Sequence, residues 1–521
     1  MSKLIKSTAI VSAFTMLSRV LGLIRDMVLM SVFGTGGVMD AFLVAFKIPN
    51  FLRRLFAEGA FAQAFVPVLS EYQHTQRFAA IQILISRVAG TLLLLVSAFT
   101  ALIMVLAPYV MGVFAVGYLN EPEKFATATT LLRVTFPYLL FISMTAFASS
   151  ILQSVHRFTL PAFAPVLLNV CMIVAALWVA PHVATPIMAV GYAVAVAGLL
   201  QLLIHLPALA QEQLLVVPKV DFAHPGVRRI LMLILPALFG VSVTQINLLV
   251  NSVFASFMID GSVAWLYTAE RLSELPLGLI GVAIGTVILP SLSSCAARGS
   301  AKEFGHTLDW ALKLVWLVGL PASLAIAVLA NVIMVSLFEH GQFSHHDALM
   351  SASALQGLAG GVLGFMLIKV LAPAFFARHD SKTPVKIGLW AVGANVVLSL
   401  GLMQLFSLLT LPQHSALALA NTLAAFINAG LLYLGLHRDG IFRIGTHWRG
   451  LMARILLANG VLVGILLLGV SYFPMTASHT LRITVLLVLC VVGMIAYTLT
   501  LLALGFKVND LKPHSLTDTA S

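Results

Sequence analysis

The sequence predicts an all-α polytopic membrane protein. It reads as 14 transmembrane helices in two pseudo-symmetric six-helix lobes, plus two C-terminal helices. Three observations carry this. Of 521 residues, 60% are hydrophobic and 9% charged, a balance foreign to soluble domains. Apolar runs of about 20 residues, enough to cross a ~30 Å hydrocarbon core, recur from end to end. The third is an internal repeat, described below.

The spans run at 8–33, 38–69, 81–114, 127–153, 160–181, 186–209, 228–257, 262–293, 308–337, 350–376, 385–408, 413–436, 450–473 and 480–505. No extramembrane domain has room. Pro49 and Pro276 are expected to break the two spans that hold them. Met1–Ser7 resembles the start of a signal peptide. Arg19 in the following segment, and no small-residue cleavage site, make it a retained first span.

The net charge of +11 raises nucleic acid as a partner, but its distribution points elsewhere. Basic residues collect in alternate short loops: Lys3 and Lys6, Arg77, Arg157, then Lys219, Arg228 and Arg229. Arg298 and Lys302, Arg378 and Lys382, then Arg438, Arg443 and Arg449, and finally Lys507 and Lys512, continue the alternation. The other loops are nearly free of Lys and Arg, with Lys124 the main exception. This positive-inside pattern places both termini in the cytoplasm. Anionic lipid headgroups suffice as partners for the basic loops, so no nucleic acid is implied. Cys171, Cys295 and Cys490 sit in apolar context and read as buried core residues.

The chain nearly repeats at an offset of 223 residues. Ala41-Phe42-Leu43 matches Ala264-Trp265-Leu266, and Val66-Pro67-Val68-Leu69-Ser70 matches Leu289-Pro290-Ser291-Leu292-Ser293. Val105-Leu106-Ala107 matches Val328-Leu329-Ala330; His156 and Pro161 match His379 and Pro384. Spans 1–6 and 7–12 are therefore parallel repeats, with the substrate site expected between them. The domains read as an N-lobe (1–215), a C-lobe (216–440) and a C-terminal piece (441–521) with spans 13 and 14.

Charge inside the spans marks the candidate site. A charge at the bilayer centre costs roughly 2.5–3.5 kcal/mol on insertion scales. Yet Arg19, Arg25 and Asp26 lie in span 1, and Asp40, Lys47, Arg53, Arg54 and Glu58 in span 2. At 100° per residue, Asp40, Lys47, Arg54 and Glu58 form one stripe with Asn50 beside it. Ser12, Thr15, Arg19, Gly22 and Asp26 share a face of span 1. Glu270, Glu274, Gly278, Gly281 and Gly285 align on span 8, flanked by Arg271. Arginine binds phosphate oxygens in pairs and stays charged. Converging arginines therefore suit a diphosphate or polyanion, with carboxylates holding them in place. The alternative is a set of internal salt bridges, for which Arg25–Asp26 and Arg54–Glu58 are the clearest pairs.

Lys369, in span 10, is a lone intramembrane cation and a candidate cavity residue. His345-His346-Asp347 reads as solvated loop rather than a metal site. Asn247, Asn251, Asn395, Asn421 and Asn428 read as interhelical hydrogen-bonding groups, with a cation site among them the lesser alternative. The phosphate-binding loop, HExxH, GxSxG and CxxC patterns do not occur.

Ser18-Arg19-Val20-Leu21-Gly22 with Arg25-Asp26, Asp40-Ala41-Phe42, and Phe46-Lys47-Ile48-Pro49-Asn50 resemble the MurJ (MviN) family. So do Leu52-Arg53-Arg54-Leu55-Phe56-Ala57-Glu58-Gly59-Ala60-Phe61, Phe65-Val66-Pro67, Glu270-Arg271-Leu272, Leu289-Pro290-Ser291-Leu292-Ser293, and Lys382-Thr383-Pro384-Val385-Lys386. The resemblance runs along essentially the whole chain. It implies a lipid II flippase of the multidrug/oligosaccharidyl-lipid/polysaccharide exporter superfamily, multi-pass in the bacterial cytoplasmic membrane and working by alternating access. It implies that Arg19, Arg25, Arg53, Arg54 and Arg271 meet the diphosphate or a gate, with Asp40 and Glu274 pairing with them. It also implies a lipid-tail groove at spans 13 and 14, and peptidoglycan-synthesis enzymes as partners. For other members it implies a sodium site in the second half, which finds no residue-by-residue match here. Coupling to sodium or to the membrane potential stays open. Two alternatives remain: a flippase or exporter of another cargo in the superfamily, and a membrane-embedded glycosyltransferase or phosphatase. Short loops and interleaved arginines argue against the enzyme.

Overall fold

The computed structural model describes the backbone of residues 2–54 and 61–506. Side chains are described for these except 2–9, 235–248 and 279–287. Every described element is helical. The chain forms two compact units, Met1–Ala264 with Gly341–Phe343, and Trp265–His340 with Ser344–Ser521.

The first unit carries α1 (Ser2–Phe33), α2 (Gly37–Arg53), α3 (Phe61–Thr75), α4 (Phe78–Val105) and α5 (Ala107–Phe114). Then come α6 (Pro122–Thr135), α7 (Tyr138–Ser154), α8 (Thr159–Val174), α9 (Pro186–Leu203), α10 (Leu206–Gln211) and α11 (Pro225–Ala255). Pro122, Pro186 and Pro225 open their helices, where a missing N–H costs no hydrogen bond. The core of α3, α4, α7 and α11 centres on Phe61, Phe65 and Phe147, whose ring centroids lie 5.1–6.0 Å apart. The segment after α10 lies along α4: the Lys219 N–H donates to the Ser86 carbonyl (3.0 Å), and the Ser86 hydroxyl donates to the Val217 carbonyl (2.6 Å). Gly90 permits that approach, since a Cβ there would sit 2.3 Å from the Lys219 carbonyl carbon.

α12 (Ser262–Ala297) begins in the first unit and continues into the second. There follow α13 (Ala301–Leu337), α14 (His345–Phe376), α15 (Lys382–Leu408), α16 (Gln413–Arg438), α17 (His447–Ser471) and α18 (His479–Ala503). α14 meets α16 through small residues: Gly361 and Gly364 face Thr422 and Ala425, and the Thr422 hydroxyl donates to the Gly357 carbonyl (2.7 Å). α17 and α18 pack on α13 through Leu317, Leu329, Ile455, Leu462, Leu486 and Leu489. At one end Asp309 of α13 accepts from the Trp448 indole (2.6 Å) and pairs with Lys313 (2.6 Å) and His447 (3.2 Å). At mid-length the Tyr497 hydroxyl donates to the Leu317 carbonyl (2.8 Å).

Among the described residues, 10 helices are long and apolar enough to cross a bilayer. The remaining sequence-read spans are 1, 2, 7 and 8. Their helices carry the intramembrane charges or include residues outside the described set. Neither proline breaks its helix. α2 runs through Pro49 to Arg53, and α12 runs through both Pro276 and Pro290. A proline deletes one N–H and crowds one carbonyl, and the surrounding backbone turns stay hydrogen-bonded.

The repeat survives in backbone detail. α1 and α11 start at Ser2 and Pro225, α4 and α13 at Phe78 and Ala301, α8 and α15 at Thr159 and Lys382. Each pair is 223 residues apart. The helix ends match too. His156 and His379 adopt left-handed φ of 62° and 61°. Beside them, the Arg157 N–H donates to Leu152 (2.8 Å) and the Asp380 N–H to Phe375 (3.1 Å), the same Schellman closure twice.

Candidate functional site

Within α1, Arg25 and Asp26 are only 5% and 1% exposed. The Arg25 Nε and Nη2 both donate to Asp26 Oδ1 (2.9 and 2.6 Å), and Nη1 donates to Asn169 Oδ1 (3.1 Å). Asn169, on α8, donates through Nδ2 to the Ser18 carbonyl (3.0 Å). It thus holds both the Arg25 fork and the α1 backbone one turn before Gly22. Buried ions persist when paired and hydrogen-bonded in this way. Arg19, two turns earlier on α1, is half-buried.

Asp40, 1% exposed, sits in the first turn of α2. Its Oδ2 accepts the Gly261 N–H (2.8 Å) and its Oδ1 the Ala264 N–H (2.9 Å). It therefore caps the start of α12, where free N–H groups and the helix dipole favour a carboxylate. Gly261 adopts φ of 95° there, a conformation suited to glycine. Next to this cap, Lys124 pairs with Asp260 and with Glu121 (3.7 Å), and lies 4.3 Å above the Tyr118 ring. Burial, followed by the charge of neighbouring carboxylates, pushes the Tyr118 phenol above its ordinary value.

Further along α2, Lys47, Arg53 and Arg54 are half-buried, and Arg53 Nε donates to Asn50 Oδ1 (3.0 Å). Glu58 lies outside the described residues. In the second unit Glu270, Arg271 and Glu274 are half-buried on α12, with Arg271 Nη1 3.5 Å from Glu274 Oε2. Lys369 lies on an exposed face of α14.

The structure thus brings together Arg25 with Asp26, Arg271 with Glu274, and Arg53 with Asn50. It gives Asp40 backbone N–H partners where sequence reasoning expected arginines. Of the loop triad, His345 pairs with Glu339 (3.0 Å), and Asp347 completes the cap of α14 and accepts from the Trp265 indole (2.9 Å). His346 packs against the Trp265 ring. Sequence reasoning did not pick out Asn169, nor the partners of Lys124. Lys124 did carry a signal: a lysine in a loop of the basic-poor set wants an internal carboxylate.

Two such units of apolar helices, with paired charges inside them, define a polytopic membrane transporter. The comparisons agree. The family model described as "Lipid II flippase MurJ" matches residues 29–489, and the chain belongs to that family. It is 41% identical to the probable lipid II flippase MurJ of Vibrio cholerae, over 98% of both chains. It is 39% identical to the lipid II flippase MurJ of Burkholderia cenocepacia, over 97% of this chain and 98% of that one. Among solved structures, a lipid II flippase MurJ in an inward closed conformation superposes with TM-score 0.77 at 25% identity, covering 94% and 97% of the two chains. An inward-facing MATE-family multidrug transporter shares the fold alone, with TM-score 0.66 at 14% identity over 83% of this chain and 98% of that one.

Proposed function

We propose that this protein moves lipid II, the undecaprenyl-diphosphate-linked peptidoglycan precursor, from the cytoplasmic to the outer leaflet by alternating access. The family match along residues 29–489 carries the reading, and the residues suit the cargo. Arg19, Arg53, Arg54 and Arg271 meet the diphosphate oxygens, and Glu274 sets the position of Arg271. Arg25 joins them in a conformation where its fork leaves Asp26 and Asn169. Lys47, Glu270 and Lys369 tune the field around the site. The protein resides in the bacterial cytoplasmic membrane with both termini inside, as the alternation of basic loops supports. Charges moving in the membrane field couple to its potential at about 2.3 kcal/mol per charge per 100 mV.

The test is depletion and rescue in a bacterium whose own lipid II flippase can be switched off. Outer-leaflet lipid II is read with an externally added cleaving enzyme. Restored exposure on expressing this chain supports the reading. Good expression without restoration refutes it and points to another cargo.

A further inference from the structure

The repeat places opposite charges at equivalent helix starts. Lys124 is the third residue of α6 and Asp347 the third residue of α14, 223 positions apart. A carboxylate belongs at such a place. Asp347 Oδ2 accepts from the Ser344 N–H (2.9 Å) and from its hydroxyl (2.7 Å), closing a capping box. A lysine does not belong there, because the N-terminal end of a helix repels cations. Lys124 thus breaks a local rule, which marks a contact made elsewhere.

Both charges reach the start of α12. In the first unit Lys124, its side chain 8% exposed, pairs with Asp260, two residues before that helix. Gly37 leaves the space for it, since a Cβ there would lie 2.8 Å from Asp260 Oδ2. In the second unit the other oxygen of Asp347, Oδ1, accepts from the Trp265 indole Nε1–H (2.9 Å). Trp265 is buried, with the His346 and His414 ring centroids 5.8 and 5.0 Å from its own. Its counterpart in the first repeat is Phe42, which has no N–H to anchor.

α12 runs unbroken from Ser262, so its first turns set the direction of the side chains that follow. Arg271 comes six residues after Trp265, about 9 Å along the axis. A rotation of about 20° at Trp265 shifts a side chain there by roughly 2 Å, for a helix radius of about 5–6 Å with side chains. That breaks an arginine–phosphate hydrogen bond. We propose that Lys124, through Asp260, and Asp347, through Trp265, are positioning residues that fix the start of α12 and so the direction of Arg271 and Glu274. The consequence for cargo rests on the flippase reading; the hold on α12 does not.

The test uses the full chain in nanodiscs and two readouts: lipid II binding, and the spectrum of a nitroxide attached through Leu275→Cys with the three native cysteines replaced by alanine. Trp265→Phe, which installs the first repeat's residue, and Lys124→Met should each weaken lipid II binding roughly tenfold. Each should also give the nitroxide a second, more mobile component, and Lys124→Arg should restore most of both. Ser344→Ala removes the cap partner of Asp347 but leaves the indole bond, and should match wild type in both readouts. A merely structural Asp347 would make Ser344→Ala as harmful as Trp265→Phe. Asp260→Asn gives an independent reading should Lys124→Met fold poorly. Unchanged spectra in Trp265→Phe and in the Lys124 or Asp260 variant, or Ser344→Ala behaving as they do, overturns the proposal. Altered spectra with undiminished lipid II binding overturn the positioning of Arg271. Altered spectra in a chain whose wild type binds no lipid II refute the flippase reading and leave the hold on α12 standing.

Discussion

Shifted by 223 residues, α2 and α3 of the first repeat fall on the single helix α12 of the second. Helix starts and the left-handed histidine closures coincide across the repeats, while the charges do not. Asp40 corresponds to Val263, Lys47 to Glu270, Arg53 to Pro276 and Asn169 to Val392. Backbone boundaries depend on caps and turns, which many sequences satisfy. The interior charges depend on partners from other helices, such as Asn169 for Arg25 and the α12 N-terminus for Asp40. The repeats therefore keep one scaffold and divide the chemistry between them.

The largest expected effect breaks the division of labour itself. Arg19→Ala and Arg271→Ala each remove one arginine from one repeat, and each should abolish rescue at normal membrane levels. Wild-type growth with either variant would show that the other repeat suffices.

Asp40→Ala strands the Gly261 and Ala264 N–H groups and should destabilise by roughly 2–4 kcal/mol. Val263→Ala, at the matching position, should cost about 1 kcal/mol. Thermal unfolding in detergent checks both, and equal losses would remove Asp40's capping role.

Asn169→Val gives the first repeat the residue of the second. Losing its two hydrogen bonds should cost about 1–3 kcal/mol and slow lipid II exposure as Arg25 loses its outer support. An unchanged transport rate would make Asn169 purely structural.

His156→Gly and His379→Gly relieve the same strained conformation, and each should stabilise by up to about 1 kcal/mol. A clear difference between them would mean that one imidazole does work its counterpart does not.

The smallest effect concerns Asp380, whose counterpart Arg157 instead pairs with Glu212 (2.8 Å). Hydrogen bonds from the Thr383 hydroxyl and backbone, and from the Lys382 N–H, hold the Asp380 carboxyl below its usual range. The folded state therefore binds fewer protons than the unfolded state. Its stabilisation is present above pH 4 and fades as pH falls through the lowered pKa. Asp380→Asn should melt slightly below wild type at pH 7, with the gap closing in acid; a gap independent of pH would rule out the charge as its origin.

Much of this was legible before any coordinates. The apolar runs and alternate basic loops required a polytopic helical chain, because backbone polar groups in lipid must be satisfied within helices. The 223-residue offset was readable from short matching segments; that the helix starts at Ser2, Phe78 and Thr159 repeat at the same offset is a finding of the structure, since the sequence placed those spans from 8, 81 and 160. Arg25–Asp26 was readable as a pair because its members adjoin in sequence. The prolines were misread as breaks, since proline chemistry is local while helix continuity depends on the whole packed segment.

The sequence by itself determined which residues would be charged inside a membrane, and that they needed partners. Only the tertiary structure decided which partners. Asn169 meets Arg25 across 144 positions, Asp40 meets Gly261 across 221, and Glu339 shares its carboxylate with Arg482. Periodicity along one helix fixes the face on which a side chain lies. The helix that packs against that face is chosen by long-range burial and close approach, which have no local signature in the chain.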